Sequence, residues 1–281
     1  MHNIASVYPE LTKSEKKIAD FITGNAYDAQ YMSITSLAEE CNVADATISR
    51  FCKALGYQGY NDFKIALAKH VGTKVDEIDN DAAVGKINLD DSLKDVAKKL
   101  YSVETTAIKQ SFELLNEQDL SEAVKHLHNA NRVYCFGQGG SSVIAKEAWA
   151  RFIVATPQFQ CIEDSHMQVM AASLCTKDDV IMFFSYSGST KDSIDVLTPA
   201  KKHGAKIILI THYPKCPAAA LADIILLCGS QENPLHSGSV AAKMAQLFII
   251  DVLFTEYCRM DMIHTNRNRE TTSEALSNKL L

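Results

Sequence analysis

Between Leu11 and Val71 the apolar positions recur at intervals of three and four residues, which predicts a string of short helices. Thr12 stands before Lys13–Phe21 with Glu15 at the capping-box position, and Ile18, Phe21 and Ile22 share one face. A short helix is expected over Asn25–Tyr31. A third opens in Ser33–Cys41 with Thr35 or Ser36 as its cap, Asn42-Val43-Ala44 turns the chain, and a fourth covers Asp45–Ala54 until Gly56 stops it. Helical period returns over Leu93–Leu115, where Val96, Leu100, Val103, Ala107 and Leu114 fall on or near one face, and again over Asp119–His128.

From Arg132 the pattern changes to short apolar runs separated by helical stretches. Strands are expected at Arg132–Phe136, Phe159–Ile162, Val180–Ser185, Ile207–Thr211 and Ile224–Leu227. Helices are expected at Ser142–Ala155, Ser165–Leu174, Lys191–His203 and from about Ser239 to Tyr257. Strands that are apolar throughout are buried on both faces, and helical crossovers between them make the sheet parallel. The fold class expected is therefore two-domain: an all-α N-terminal domain, and an α/β three-layer C-terminal domain around a five-stranded parallel sheet. The boundaries expected are a helical domain at 1–72, an acidic linker at 73–91, a connecting helix at 92–118, the α/β domain at 119–260 and a polar C-terminal tail at 261–281. The linker reading rests on six acids (76, 77, 79, 81, 90, 91) against Lys74 and Lys86. The connecting helix would pack on the second domain or on a partner subunit.

Composition narrows the class. A chain of 281 residues is long for one core, and 47% hydrophobic with 22% charged residues describes an ordinary globular protein. Eight cysteines lie scattered in apolar segments with no C-x-x-C pair, so they read as buried thiols of a reducing compartment, with no disulfide framework and no metal site. No leader-like or membrane-length apolar run is present, and a cytoplasmic protein without a membrane partner is expected. The net charge of −6 argues against a broadly basic nucleic-acid coat. Residues 1–72 hold seven Lys/Arg against eight Asp/Glu, so any DNA-binding patch must be local.

Helix, three-residue turn, helix is the spacing of the helix-turn-helix. Along Asp45–Ala54 the apolar Ile48, Phe51 and Leu55 face inward, leaving Thr47, Ser49, Arg50 and Lys53 suited to base edges and phosphates. A solvated helical hairpin has the same spacing, so the pattern alone leaves both readings open.

In the second half, two strands end in Ser/Gly-rich loops. Gly137-Gln138-Gly139-Gly140-Ser141-Ser142 lacks the third glycine of a dinucleotide fingerprint and the Gly-Lys-Ser/Thr ending of a P-loop. Ser185-Tyr186-Ser187-Gly188-Ser189-Thr190 follows the apolar run Ile181–Phe184 and precedes a helix. Side by side at the carboxyl edge of a parallel sheet, such loops suit a phosphomonoester: amides and hydroxyls donate to its oxygens while helix N-termini supply partial positive charge. A capped turn without a ligand uses the same residues.

The run Val43–Lys64 resembles the DNA-binding domain of the RpiR family of bacterial regulators, through Ala46–Phe51, Leu55-Gly56-Tyr57, Tyr60, Asp62, Phe63 and Lys64. Ala44 departs from it, since a Ser is usual there, and Asp45 is expected to cap instead. The second half resembles the SIS (sugar isomerase) domain, through Gly137–Ser141, Ser185–Thr190, the A-x-x-x-G-A of Ala200–Ala205 and the D-x-H-x-Q of Asp164–Gln168. The resemblance implies a sugar-phosphate site at Ser141, Ser142, Ser185, Ser187 and Thr190, with His166 near the sugar and Lys243 on the last long helix. It departs at His236, Gly238 and Lys243, where many relatives carry an Arg, a Glu and a second Arg. The partners implied are operator DNA and a phosphosugar effector, acting through a homodimer or dimer of dimers, with no cofactor. The residues leave three classes open: a ligand-gated transcription factor, a sugar-phosphate isomerase with an accessory helical domain, and a DNA-free sensor that binds another protein. The attached helix-turn-helix favours the first. An isomerase needs an acid and a base over two sugar carbons, and Glu163, His166 and His236 have no spacing that compels those roles.

Overall fold

A computed structural model describes residues 2–75, 87–229, 239–277 and 279. Most of the acidic stretch read as a linker, together with His236 and Gly238, lies outside them. The chain divides into two compact units, one within Met1–Thr105 and one within Thr106–Ser230 and Val240–Leu281.

The first unit is helical: α1 (His2–Val7), a 3₁₀ turn (Tyr8–Glu10), α2 (Lys13–Gly24), α3 (Ala26–Ala29), α4 (Ile34–Glu40), α5 (Asp45–Ala54) and α6 (Tyr60–Val75). Their inward faces meet in a core of Leu11, Ile18, Ile22, Leu37, Ile48, Phe51, Phe63 and Leu67. The Phe51 and Phe63 rings meet edge to face at 6.1 Å. The α2 capping box forms as the Thr12/Glu15 spacing predicts. Two expected caps are corrected. Helix α4 is capped by Ser33, whose hydroxyl accepts from the Ser36 amide at 3.0 Å, so Thr35 and Ser36 already lie inside the helix. Helix α5 follows Ala44 with no side-chain cap, because Asp45 is its first helical residue and stands one position too late. The Asp45 carboxylate instead accepts from the Thr35 hydroxyl at 2.9 Å and ties α4 to α5. Gly56, at φ +88°, closes α5 with a Tyr57 N–H···O=C Cys52 bond of 3.0 Å.

The second unit continues α7 (Leu93–Glu113), which crosses the division between the units, and adds α8 (Glu117–Asn129). Then β1 (Arg132–Gly137), α9 (Gly140–Phe152), β2 (Phe159–Cys161), α10 (Ser165–Ser173), β3 (Asp179–Phe184), α11 (Lys191–Lys202), β4 (Lys206–Thr211), β5 (Ile224–Leu227), α12 (Val240–Met260) and α13 (Met262–Ser277) follow. The five strands run parallel in the order β2-β1-β3-β4-β5. Alternate side chains divide its faces. Phe136, Ile181, Phe183, Ile207 and Leu209 pack with Ala172, Val196 and Ala200 of α10 and α11. Helices α8, α9 and α12 cover the opposite face, where Phe152 stacks on Phe159 at 4.0 Å and meets Phe254 edge to face. Within this unit α7 docks on the end of β5. The Gly229 amide donates to Ser111 Oγ at 2.9 Å, and a Cβ on Gly229 would lie 2.5 Å from Gln110 Cβ. The stretch read as a polar tail is helical from Met262.

Candidate functional site

The β1–β3 register sets the candidate site. Gly137 pairs with Phe184, so both strands end level and release their polar loops side by side. The first loop is tight: a Cβ on Gly137 would lie 2.7 Å from the Ser141 carbonyl oxygen and 3.1 Å from that of Phe184. Gly139, at φ +55°, turns the chain into α9, and the Ser142 hydroxyl donates to its carbonyl at 2.7 Å. The second loop is locked by Gly188, at φ +57°, where an added Cβ would fall 2.1 Å from Cys216 Sγ. The Ala218 amide also donates to the Gly188 carbonyl at 2.9 Å, holding the β4–β5 connection under the loop.

The hydroxyls of the second loop differ in role. Ser185 is 6% exposed and accepts from the Gly188 amide at 3.1 Å and from Ser193 Oγ at 3.4 Å, so it braces the loop from within. Ser187 is half-buried and accepts from the Ser189 amide at 3.3 Å, which leaves its O–H able to donate. Thr190 is exposed and caps α11, accepting from the Ser193 amide at 3.3 Å. Ser141 is half-buried in the first turn of α9. Lys243, in the first turn of α12, brings its Cε to 3.9 Å from the Cβ position of Gly140, which sets a cation beside the first loop. The amino ends of α9 and α11 lie at this edge, where the Ser141 and Ser142 amides donate to the Gln138 and Gly139 carbonyls at 3.0 and 3.2 Å.

His166 is placed elsewhere. It is exposed in the first turn of α10 and lines a groove of about 450 Å³ with Ser165, Val169, Met170, Asp192, Asp195 and Val196, a lining that includes none of the loop hydroxyls. Asp164, not His166, caps α10 by accepting from the Met167 amide at 2.9 Å. The residue of that segment with the strongest structural tie to the site is Gln168. It is fully buried, and its amide donates to the carbonyls of Gly137 at 3.2 Å and Ile162 at 2.6 Å while its oxygen accepts from Gln138 at 2.7 Å. A buried amide so paired fixes the ends of β1 and β2 together. Its signal in the sequence is a glutamine on the inward face of α10. Cys216 has no comparable signal, because only the fold brings it beneath Gly188.

In the first unit Arg50 and Lys53 are exposed on α5, Thr47 and Ser49 are half-buried, and Arg50 Nη2 donates to Thr47 Oγ1 at 3.3 Å. Ile48, Phe51 and Cys52 of the same helix are buried, so the four polar residues lie off its inward face. Behind α5 the Lys64 ammonium donates to the Met32 carbonyl at 2.8 Å, and burial pushes its pKa down to about 8. Among the described residues no cluster of three or more His, Cys, Asp or Glu could hold a metal ion, and no helix is long and apolar enough to cross a membrane.

The first unit has the helix-turn-helix arrangement and the second is an α/β unit with paired Ser/Gly loops, a two-domain architecture whose function the fold alone does not fix. Comparison with known proteins gives its family. Residues 1–74 match the helix-turn-helix domain of the rpiR family, and residues 126–256 match the SIS domain. An HTH-type transcriptional regulator of Haemophilus influenzae, itself uncharacterized, is 32% identical over 254 residues, covering 90% of this chain and 88% of that protein. The HTH-type transcriptional regulator RpiR of Escherichia coli is 27% identical over 262 residues, covering 93% of this chain and 87% of the other. The Vibrio vulnificus NanR protein, solved in complex with ManNAc-6P, matches with a TM-score of 0.87 and 25% identity over 99% of this chain and 98% of that one. The chain belongs to the RpiR family of helix-turn-helix transcriptional regulators, and on that ground it is a regulator rather than an isomerase.

Proposed function

We propose that this regulator takes a phosphosugar as its effector at the carboxyl edge of the SIS sheet and reads operator DNA with α5. The observation that carries the effector reading is the level ending of β1 and β3, which releases two donor-rich loops side by side, the first of them beside Lys243. Ser141 and Ser187 donate to the phosphate with the loop amides, Ser142, Ser185 and Thr190 hold the loops in shape, Thr190 through its 2.5 Å bond to Ser193 Oγ, and Lys243 supplies charge. His166 would meet the sugar only where the ligand reaches past Thr190 into the groove that His166 shares with Asp192 of α11. The similarity to a NanR protein complexed with ManNAc-6P supports the same ligand class. Thr47, Ser49, Arg50 and Lys53 meet bases and phosphates. The active form is a homodimer or a dimer of dimers in the cytoplasm, in which effector binding biases the spacing of two recognition helices on a two-fold operator.

Thermal unfolding titrated with a panel of sugar phosphates, ManNAc-6P among them, tests the effector reading against inorganic phosphate and unphosphorylated sugars. A one-site binder at about a hundred times its dissociation constant should add about 2.7 kcal/mol, and Ser187→Ala should lose most of it while still binding DNA. If no sugar phosphate stabilises the protein beyond inorganic phosphate, the site is misread.

A further inference from the structure

Strand β4 flanks β3 on the side away from β1, and its end holds the second Ser/Gly loop. The Tyr186 carbonyl accepts from Thr211 Oγ1 at 3.0 Å and from the His212 amide at 3.1 Å. The Tyr186 ring stacks on the His212 imidazole with centroids 5.0 Å apart and planes 3° apart, and Tyr213 meets both rings edge-on. His212 also reaches the end of β5, where its Nδ1 stands 3.0 Å from the Cys228 carbonyl oxygen. A carbonyl can only accept, so Nδ1 carries the proton and donates. The N–H of that same peptide group belongs to Gly229, and it donates to Ser111 Oγ of α7 at 2.9 Å. In a trans peptide C=O and N–H point opposite ways, and no described peptide is cis, so His212 and Ser111 grip one rigid plane from its two sides. Cys228 and Ser111 are fully buried, and a Cβ on Gly229 would lie 2.7 Å from the Ser111 amide nitrogen and 2.8 Å from the Ala107 carbonyl oxygen. Packed so closely, the plane cannot tilt without moving α7 or the imidazole.

We infer that the Cys228–Gly229 peptide is the joint through which the effector loop acts on α7, with His212 the positioning residue on the loop side and Ser111 the receiving residue on the helix. The inference rests on the Ser185–Thr190 loop holding the effector, the reading proposed above. A phosphate drawn onto Ser187 and the loop amides shifts the adjoining Tyr186, whose ring and carbonyl both meet His212. The imidazole passes that shift to the Cys228 carbonyl, and the peptide plane passes it to Ser111. Helix α7 is one element of 21 residues, of which Leu93–Thr105 fall in the first unit and the rest in the second, so a turn at Ser111 is carried along it into residues of the helical unit. The effector biases α7 only as far as the loop holds His212 differently with and without it.

The test measures coupling, the factor by which a saturating sugar phosphate changes duplex affinity. The probes are the tightest duplex that the wild-type chain selects from a random-sequence library and the sugar phosphate, from the panel that includes ManNAc-6P, that stabilises it most. His212→Phe keeps a ring on Tyr186 and loses the Nδ1 donor, and Ser111→Ala loses the hydroxyl that meets Gly229. Each variant should bind the sugar phosphate alone and the duplex alone within about twofold of wild type, while the coupling factor falls at least about threefold. The double variant should fall no further than either single one, because both bonds belong to one peptide. His212→Asn, whose side-chain amide sets a donor near the Nδ1 position, should keep the wild-type factor. An unchanged factor in both His212→Phe and Ser111→Ala overturns the joint, even if both lower the melting temperature. Loss of sugar-phosphate binding in His212→Phe also overturns it, by making His212 part of the pocket. If no sugar phosphate stabilises the wild-type chain, the effector reading itself fails and the joint falls with it.

Discussion

In the helix-turn-helix unit the residues assigned to binding are side chains on one continuous helix, α5. Thr47, Ser49, Arg50 and Lys53 can each be changed without touching the core of Ile48, Phe51 and Leu55. In the SIS unit the assigned site is largely backbone: Gly137, Gly139 and Gly188 set the loop paths, and several hydroxyls are already committed to holding them. The difference teaches where each unit is vulnerable. A charge can be removed from the first at a cost in binding alone, whereas one methyl group in the second displaces the frame of the site.

The widest split between the units is expected at Gly188. Gly188→Ala puts a Cβ 2.1 Å from Cys216 Sγ at a φ of +57°. It should cost ~2–4 kcal/mol in denaturant unfolding and abolish stabilisation by sugar phosphates. Adding Cys216→Ala should restore part of the stability, a coupling that marks the contact as the cause. Next is Gln168→Leu, which strips the carbonyls of Gly137 and Ile162 of a buried donor and should cost ~2–3 kcal/mol with a weakened effector response. Equal effector affinity in this variant would show that the loops keep their shape without the brace.

Arg50→Ala sharpens the contrast from the other side. It should weaken operator binding by ~1–3 kcal/mol in a gel-shift titration while leaving melting temperature and sugar-phosphate stabilisation at wild-type values. A loss of effector response as well would mean that the two functions are not separable by residue.

The last effect, confined to alkaline pH, is a slope from Lys64. Its pKa falls from 10.5 to about 8 on folding, so between those values the unfolded chain binds the extra proton and stability rises with pH. The slope from this group is at most about 1.4 kcal/mol per pH unit and is absent below about pH 8, where both states are protonated. Lys64→Met should remove that rise from urea-unfolding curves recorded across the window. An identical slope in the variant would show that the ammonium is solvated in the folded state.

Much of this was legible in advance, for identifiable reasons. The strands could be read because parallel strands buried on both faces must be apolar throughout, as Ile181–Phe184 and Ile207–Ile210 are. The helix stop at Gly56 was equally plain, since it needs a left-handed φ, +88°, that glycine adopts freely. Helix α13 was not legible: it has no apolar stripe and is tied down by Asn268 donating to the Ala155 carbonyl at 2.7 Å, a contact between residues 113 positions apart. The cap of α4 was misplaced because Ser33, Thr35 and Ser36 offer the same hydroxyl, and only the backbone angles at Ser33 select it.

By itself the sequence determined what local physics controls: the period of each element, the glycine turns, the apolar strands and the polar face of α5. Tertiary structure decided what depends on residues distant in the chain. The β1–β3 register levels the two loops, Cys216 fits beneath Gly188, Gln168 ties two strand ends, and His166 opens onto a groove apart from the loop hydroxyls. Spacing along a chain encodes periodicity and turn chemistry. Which side chains share a pocket is fixed only when the sheet sets its register and the helices pack on it.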